Sequence, residues 1–270
     1  MSKRPKLIAT DLDGTIVQHD GTISSRTVAA FSKAHAMGVH IFFVTGRPPR
    51  WMDEIGETFG FGGAICGNGA MLYDLENKEV TEEWMIAMEE QIEISRRLRI
   101  AIPTISFAIE SHDYYHREKS YVPRWDIGLD NVGVERIEDA IKGPAFKMLA
   151  RCSNSDLSSD QMLEIALREL DGFATVTHSN ANESLLEISA LNISKGKTLA
   201  KVAARIGIDA KDCISFGDNP NDFSMLQWCG RSFAMEDGHP DGFKFATGVA
   251  GPHAADGVAI VIEQLLDLPA

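Results

Sequence analysis

The chain has 270 residues, of which 44% are hydrophobic and 24% are charged, and its formal net charge is -13 at pH 7. This composition is typical of a globular protein with room for one large domain or two modest ones, and it excludes a largely disordered chain. The acidic balance predicts no nucleic-acid partner, and no apolar stretch is long enough for a signal peptide or a membrane span.

An apolar run over residues 7–10 leads directly into Asp11 and Asp13. It predicts a buried strand that ends in reactive carboxylates. Strand alternation places both carboxylates on one face and Leu12 on the other, and Gly14 allows a sharp turn. One carboxylate could stay ionised as a nucleophile while the other holds a proton. A surface turn is the alternative, because Asp and Gly are common in turns.

The second strand repeats this pattern. Ser24 can cap a helix that ends at Gly38, and a strand over 39–44 then leads into Thr45-Gly46-Arg47. A helix over about 48–59 follows, opened by two prolines. Thr45 and Arg47 could bind a phosphoryl group, although ordinary helix capping and a solvated arginine are the alternatives.

A third strand, over 64–66, runs into Gly67-Asn68-Gly69. The residues after it, 71–73 and 79–81, have the pattern of a hairpin. The polar ends of three strands are therefore expected to converge.

The pattern changes from about residue 83. A helix is followed by a strand over 104–109, a turn at 111–113 and a strand from Tyr114; later come a strand over 145–150, a helix over 157–170 and strands over 173–177 and 184–188. The helix–strand–strand order occurs twice. It predicts a separate α+β unit, an open-faced sheet with its helices on one side.

Alternation of strands and helices returns at Ser194, which can cap a helix that ends at Gly207. Lys195 and Lys197 fall in its first turn, where the helix dipole disfavours cations. Lys195, followed by the small Gly196, is the better candidate to reach a buried carboxylate and a phosphate, and Lys197 is expected in solvent. A solvated Lys195 is the alternative.

A strand over 213–216 ends in Gly217-Asp218-Asn219-Pro220-Asn221-Asp222. Asp218 and Asp222 offer the hard oxygen ligands that Mg²⁺ prefers, and a well-capped turn is the alternative. Strands over 232–235 and 248–249 and a helix over 256–266 complete the chain.

The predicted architecture is an α/β, doubly wound, Rossmann-like parallel sheet built from residues 1–82 and 188–270. The α+β unit, residues 83–187, is inserted between these two parts. Four strand ends carry polar groups at one edge of the sheet, and their joint occurrence favours a catalytic site over four separate turns.

These residues resemble the haloacid dehalogenase (HAD) superfamily, and more closely its Cof-type phosphatases, over nearly the whole chain. The motifs are Asp11-Leu12-Asp13-Gly14-Thr15, Val44-Thr45-Gly46-Arg47, Ser194-Lys195-Gly196 and Gly217-Asp218-Asn219-Pro220-Asn221-Asp222, with Gly67-Asn68-Gly69-Ala70 as a core loop. In this family a large cap is inserted between the second and third motifs.

The resemblance implies a Mg²⁺-dependent phosphatase that hydrolyses a small phosphate ester through an aspartyl-phosphate. Asp11 would attack phosphorus, and Asp13 would protonate the leaving oxygen and later activate water. Mg²⁺ would be held by Asp11, the backbone carbonyl of Asp13, Asp218 and, through water, Asp222. The residues implied in binding or stabilising the phosphoryl group are Thr45, Gly46, Arg47, Asn68, Lys195 and Asn221.

Some alternatives stay open at this point. A phosphomutase or phosphotransferase would use the same intermediate, and a non-catalytic phosphate-binding module would keep the same motifs. Sugar phosphates, polyol phosphates and phosphorylated cofactors all fit as substrates. The residues of the inserted unit that could face a ligand are Tyr114, Tyr115, His116, Arg117, Arg124, Trp125, His178 and Asn180. One departure from the family is Glu236-Asp237-Gly238-His239, where relatives usually have Asn-Ala.

The four cysteines are Cys66, Cys152, Cys213 and Cys229. They lie far apart and form no C-x-x-C pair, so neither a disulfide framework nor a cysteine metal cluster is expected. Buried thiols in a reducing cytoplasm are the prediction.

Overall fold

The computed structural model of the chain describes residues 4–112, 114–123, 131–152 and 157–267. The chain divides into two compact units, one formed by Met1–Glu82 with Ser194–Ala270 and the other by Glu83–Ile193. The boundary predicted at residue 188 is wrong, because that residue lies within a strand, Leu185–Ala190, that pairs on both sides with strands of the second unit.

The bounds of the regular elements follow. The strands are β1 (Leu7–Thr10), β2 (His40–Val44), β3 (Gly63–Cys66), β4 (Met71–Asp74), β5 (Glu79–Glu83), β6 (Ser106–Glu110), β7 (Tyr115–Arg117), β8 (Lys147–Arg151), β9 (Ala174–Thr177), β10 (Leu185–Ala190), β11 (Cys213–Gly217), β12 (Arg231–Met235) and β13 (Gly248–Ala250). The α-helices are α1 (Ser25–Ala36), α2 (Asp53–Phe59), α3 (Met88–Ala101), α4 (Ser159–Glu169), α5 (Lys195–Arg205), α6 (Phe223–Trp228), α7 (Gly242–Phe245) and α8 (Gly257–Leu266). Short 3-10 helices lie at Pro49–Trp51, Gly67–Gly69, Ile137–Asp139, Ala210–Asp212, Pro220–Asp222 and His253–Ala255.

The first unit is built on a sheet with the strand order β13-β12-β11-β1-β2-β3-β4-β5. The strands from β13 to β3 are parallel, and β4 runs antiparallel to β3. The chain first builds outward from β1 through β2 and β3, and later returns to the other side of β1 with β11. The strand order therefore reverses between β1 and β11, which is where open α/β sheets bind their ligands.

Helix α1 shows how local sequence fixes an element of this unit. The Ser24 hydroxyl accepts a hydrogen bond from the backbone N–H of Thr27, and Phe31 is buried against the rings of Phe43 and Phe59. A side-chain cap at one end and an apolar stripe facing the sheet are what an amphipathic surface helix requires.

The helix predicted over 48–59 is interrupted. A 3-10 turn, Pro49–Trp51, comes first, and α2 begins only at Asp53. Met52 between them is buried and has φ -96° and ψ -5°, so the chain turns there to bury this side chain. Two further helices, α6 and α7, were not predicted from the sequence.

The second unit has an antiparallel sheet with the order β7-β6-β8-β10-β9. Alternate residues of its strands, such as Phe107, Met148 and Ile188, join one apolar cluster with Leu98 of α3 and Met162 of α4. The helices therefore cover one face of the sheet, and the elements follow the predicted repeat as α3-β6-β7 and α4-β9-β10. Residue 113 of the predicted turn lies outside the described residues.

Buried Glu118 connects several parts of this unit. Its carboxylate accepts hydrogen bonds from the backbone N–H of Phe107 at 3.1 Å and of Ile137 at 2.8 Å, and it pairs with Arg99. The side chain is only 1% exposed. A buried charge of this kind is tolerated because its lone pairs are satisfied by donors on three different elements.

None of the helices in the described ranges has the length and apolar character needed to cross a bilayer.

Replacing Glu118 with Ala should destabilise the second unit by about 3–5 kcal/mol, because two buried N–H groups lose their acceptor and the Arg99 guanidinium loses one of its two carboxylate partners, keeping Glu138. Urea unfolding followed by circular dichroism measures the loss. Glu135→Ala is the matched control, since Glu135 forms an exposed pair with Lys119 in the same unit and should change stability little. Equal unfolding midpoints for the two variants would contradict the importance of Glu118.

Candidate active site

Asp11 and Asp13 follow β1, as predicted, but their environments differ. Asp11 is 5% exposed, and its backbone N–H donates to the carbonyl of Phe216 at the end of β11. Asp13 lies on the turn beyond it, and its side chain is 60% exposed. Gly14 has φ +77°, and a Cβ there would lie 2.5 Å from an Asp218 carboxylate oxygen. The first motif thus needs glycine both for its turn and for its approach to Asp218.

Lys195 is the first residue of α5 and is fully buried. Its Nζ donates to Oδ1 of Asp11 at 2.5 Å and to Oδ1 of Asp222 at 2.6 Å. These two carboxylates offset the unfavourable helix dipole at that position. Lys197 is exposed, and its backbone N–H donates to the Ser194 hydroxyl. The structure therefore brings Lys195, and not Lys197, to the carboxylates.

The loop after β11 places Asp218 and Asp222 beside them. Asp222 is fully buried, and its Oδ2 accepts from the backbone N–H groups of Asp218 at 3.0 Å and Asn219 at 3.1 Å. Oδ2 of Asp218 accepts a hydrogen bond from the side-chain amide of Asn219. Oδ1 of Asp218 is buried and has no hydrogen-bond partner among the described residues.

This carboxylate group has the chemistry of a site for a hard divalent cation. Oxygens of Asp11, Asp218 and Asp222 all lie within 4.8 Å of one another, and carboxylate oxygens are the ligands that Mg²⁺ prefers. The Oδ1 of Asp218 has no hydrogen-bond partner among the described residues, so this oxygen is available to coordinate a cation. Both oxygens of Asp222 already accept hydrogen bonds, so Asp11 and Asp218 are the better direct ligands.

Burial and mutual repulsion both act on the pKa values of these carboxylates. Burial and the neighbouring Asp222 raise the pKa of Asp11 to about 7, although Lys195 acts in the opposite direction. Burial, Asp11 and Asp222 raise the pKa of Asp218 well above its ordinary value. Burial alone would lower the pKa of Lys195, but Asp11 and Asp222 hold it above its usual range. A bound cation would relieve the repulsion between the carboxylates.

Thr45 and Arg47 lie at the end of β2. Thr45 is 1% exposed, and its Oγ1 accepts from the backbone N–H of Arg47 at 3.0 Å. This bond lies within a turn and caps no helix, because the next helical element begins at Pro49 with Pro48 as its N-cap. The hydroxyl hydrogen of Thr45 can still be donated. Arg47 is not a solvated side chain. Its Nε and Nη2 donate to the two oxygens of Asp13 at 2.8 and 2.5 Å, so its fork binds a carboxylate of the first motif. Gly46 lies between these two residues.

The Gly67–Gly69 turn brings Asn68 to the fourth motif. Asn68 is 2% exposed, and its Oδ1 accepts from Nδ2 of Asn221 at 3.1 Å. The sequence predicted phosphate binding for both side chains, but it did not predict that they contact each other.

The segment Glu236-Asp237-Gly238-His239, which departs from the family pattern, packs against the loop that carries Asp218. The N–H of His239 donates to the Asp218 carbonyl at 2.6 Å, and a Cβ on Gly238 would lie 2.6 Å from that oxygen. Asp237 pairs with His253 at 2.6 Å. Sequence reasoning missed this support for Asp218; a glycine just after β12 is the signal that could have indicated a close backbone approach.

The candidate ligand-facing residues of the second unit have partners within that unit. The Arg117 guanidinium donates to three backbone carbonyls, His178 is buried against Asp160, and Asn180 contacts Glu183. Tyr114 donates to the Pro144 carbonyl and stacks near His116, and Tyr115 is buried. These contacts give most of the set a structural role. Arg124 and Trp125 lie outside the described residues.

Comparisons with known proteins identify the family to which the chain belongs. The family model for haloacid dehalogenase-like hydrolases matches residues 8–262. A 5-amino-6-(5-phospho-D-ribitylamino)uracil phosphatase of Bacillus subtilis is 25% identical over 287 residues, covering 97% of this chain and 98% of the relative. A second phosphatase of the same organism is 24% identical, with coverages of 97% and 100%.

Solved structures show the same fold. A sugar phosphatase of HAD subclass IIB superimposes with a TM-score of 0.78 at 22% identity, covering 96% of this chain and 98% of that one. A protein from Streptococcus mutans superimposes with a TM-score of 0.80 at 19% identity, with coverages of 97% and 99%.

Adding Mg²⁺ to the metal-free protein should raise its melting temperature, by an amount equivalent to about 2.7 kcal/mol at a hundred times the dissociation constant. Asp218→Asn should abolish this rise. In EDTA the same variant should melt at or above the wild-type temperature, because one repelling carboxylate is gone. Asp209→Asn, an exposed site in the same unit, is the control. An unchanged Mg²⁺ response in Asp218→Asn, measured by thermal shift and calorimetry, would exclude Asp218 as a ligand.

The metal-free protein should lose stability as pH rises from about 4 to about 7. The raised pKa values of Asp11 and Asp218 mean that the folded state binds more protons than the unfolded state in this window. Each such proton lowers the free energy of unfolding by about 1.4 kcal/mol per pH unit. Urea unfolding in EDTA at several pH values should show a shallower decline for Asp11→Asn, whereas identical slopes would refute the assignment to Asp11.

Proposed function

The chain belongs to the haloacid dehalogenase-like hydrolases, and from this premise we propose that it is a Mg²⁺-dependent phosphatase acting on a small phosphorylated metabolite. The observation that carries the proposal is the buried Lys195, whose ammonium joins Asp11 to Asp222 beside the unpartnered oxygen of Asp218. Such a group combines a nucleophile, a cation and a metal-binding carboxylate in one buried place.

Asp11 is the nucleophile in this proposal. A carboxylate oxygen forms a bond to phosphorus while the bond from phosphorus to the leaving oxygen breaks, which gives an aspartyl-phosphate and an alcohol. Water then attacks phosphorus, releasing inorganic phosphate and restoring the carboxylate. Lys195 holds Asp11 in place and offers positive charge to the phosphoryl oxygens. A bound Mg²⁺ would neutralise the charge on the transferring group.

Asp13 protonates the leaving oxygen in the first step and takes a proton from water in the second. Its exposure on the turn after Asp11 fits a group that must exchange protons. Arg47 occupies both of its oxygens in this structure, so Asp13 can pass a proton only after the fork releases one of them. A substrate phosphate is a competing anion for Arg47, and its arrival would provide that release.

The names of similar proteins support a substrate class. One acts on a sugar phosphate and another on a compound with a phosphorylated ribityl chain. We propose that this chain also hydrolyses a phosphate ester of a sugar or a polyol. The phosphoryl group would be bound by Thr45, Gly46, Arg47 and Asn221. Specificity would come from contacts that other residues make with the rest of the substrate.

A cytoplasmic location is part of this proposal. All four cysteines are free thiols and buried, which suits a reducing compartment.

Asp11→Asn should lower turnover of phosphate esters by at least about 10³-fold, because the amide cannot form the aspartyl-phosphate. The assay is a panel of sugar and polyol phosphates with Mg²⁺, with inorganic phosphate release followed by ³¹P resonance. Asp241→Asn, an exposed site of the same unit, is the control and should keep full activity.

Two outcomes would count against the proposal. Activity that survives in Asp11→Asn removes the nucleophile assignment, and wild-type turnover that persists in EDTA removes the metal. Transfer of the phosphoryl group to a second hydroxyl, without release of inorganic phosphate, would identify a phosphotransferase instead.

A further inference from the structure

We propose that Asn68 is a positioning residue, whose side-chain oxygen orients the amide of Asn221 so that Asn221 can donate a hydrogen bond to the phosphoryl group. This inference rests on the proposed function, because it assumes that Asn221 binds phosphate. It assigns to Asn68 an indirect role in place of direct contact with the substrate.

The contact itself has a defined polarity. Nδ2 of Asn221 donates to Oδ1 of Asn68 at 3.1 Å, and the two residues are 7% and 2% exposed. Oδ1 of Asn221 is also buried and has no hydrogen-bond partner within the described part of the chain. If the Asn221 amide were turned over, two oxygens would face each other across a buried contact, which is unfavourable. The acceptor on Asn68 therefore selects one orientation of the Asn221 amide.

The backbone of the loop that carries Asn68 is fixed by hydrogen bonds. Asn68 has φ +57° and ψ +30°, a left-handed conformation that Asn tolerates better than most residues. Its N–H donates to the carbonyl of Thr45 at 3.0 Å, and the carbonyl of Gly69 accepts from the Thr198 hydroxyl at 2.7 Å. The loop is thus fixed to β2 on one side and to α5 on the other. Thr45 directly follows β2, and Lys195 is the first residue of α5.

The position of Asn221 explains why its orientation matters. It directly precedes Asp222, whose Oδ1 lies 2.6 Å from the Lys195 ammonium. An amide nitrogen has two hydrogens, and Asn68 accepts one of them, so the second can serve a phosphoryl oxygen. Because the Asn221 amide is neutral, it adds no charge to the cluster of Asp11, Asp218 and Asp222. The Oδ1 of Asn68 is engaged by the Asn221 amide, so that atom acts on Asn221 and not on the phosphoryl group.

A double-mutant cycle tests the dependence of one residue on the other. Asn68→Gly removes the acceptor and keeps the positive φ accessible, and Asn221→Ala removes the donor. Each should lower kcat/KM by about tenfold, the value of one hydrogen bond. The double variant should be no worse than Asn221→Ala alone, because Asn68 acts only through Asn221. Losses that multiply in the double variant would overturn the proposal.

Asn192→Gly is the matched control. Asn192 also has a positive φ, of 63°, and it is exposed. This variant makes the same chemical change at a comparable backbone position, so it should leave kcat/KM at the wild-type value.

A measurement without turnover separates this inference from the proposed function. The side-chain amide resonances of Asn221 in a ¹H–¹⁵N spectrum should shift in Asn68→Gly and not in Asn192→Gly, and inorganic phosphate should bind Asn68→Gly about tenfold more weakly than the wild type. Unchanged Asn221 resonances or unchanged phosphate affinity would overturn the role of Asn68. A wild-type protein that meets both expectations but hydrolyses no ester would refute the proposed function and leave this role in place.

Discussion

The rest of the first unit depends on one buried ion group, the Lys195 ammonium between Asp11 and Asp222. A lysine with no exposed surface is strongly unfavourable unless its charge is matched, and removing one partner of such a group typically costs about 3–5 kcal/mol. Its two partners come from the ends of β1 and β11. Helix α5 and the two central strands are therefore held together at the same point that is proposed to do the chemistry.

Charge balance explains why this arrangement suits catalysis better than stability. Asp11, Asp218 and Asp222 lie close together, and the Lys195 ammonium pairs with Asp11 and Asp222; burial first, and then repulsion between the carboxylates, raises the pKa values of Asp11 and Asp218. Hydrophobic side chains of similar size would fill the space at lower cost. In the proposed function, a bound cation and a phosphoryl group would offset this repulsion. The neutral donors proposed to bind phosphate, Thr45 and Asn221, would add no further charge.

Short local sequence patterns are sufficient to predict much of the fold. The caps at Ser24 and Ser194, the strand ends and the misplaced charge of Lys195 are all visible within a few residues of sequence, and the structure has the sheet and helices that they indicate.

The features that sequence reasoning missed depend on partners far along the chain. Arg47 binds Asp13, and Asn68 binds Asn221, which lies 153 residues away. No local sequence pattern predicts such contacts. The predicted domain boundary near residue 188 is wrong because the sequence of an apolar strand does not indicate which of the two sheets it joins. Helix α6 has only 6 residues, and burial of Met225 and Leu226, which is a tertiary effect, stabilises it.

The pair formed by Lys195 and Asp11 spans 184 residues of chain, which has a consequence for synthesis. A ribosome adding about 5–20 residues per second makes Lys195 roughly 10–40 s after Asp11. During this interval β1 lacks its neighbour β11, so one edge of the central strand is open while the contiguous segment Glu83–Ile193 emerges. The first unit can close only when the segment Ser194–Ala270 arrives, and until then the open edge of β1 is exposed to pairing with other chains.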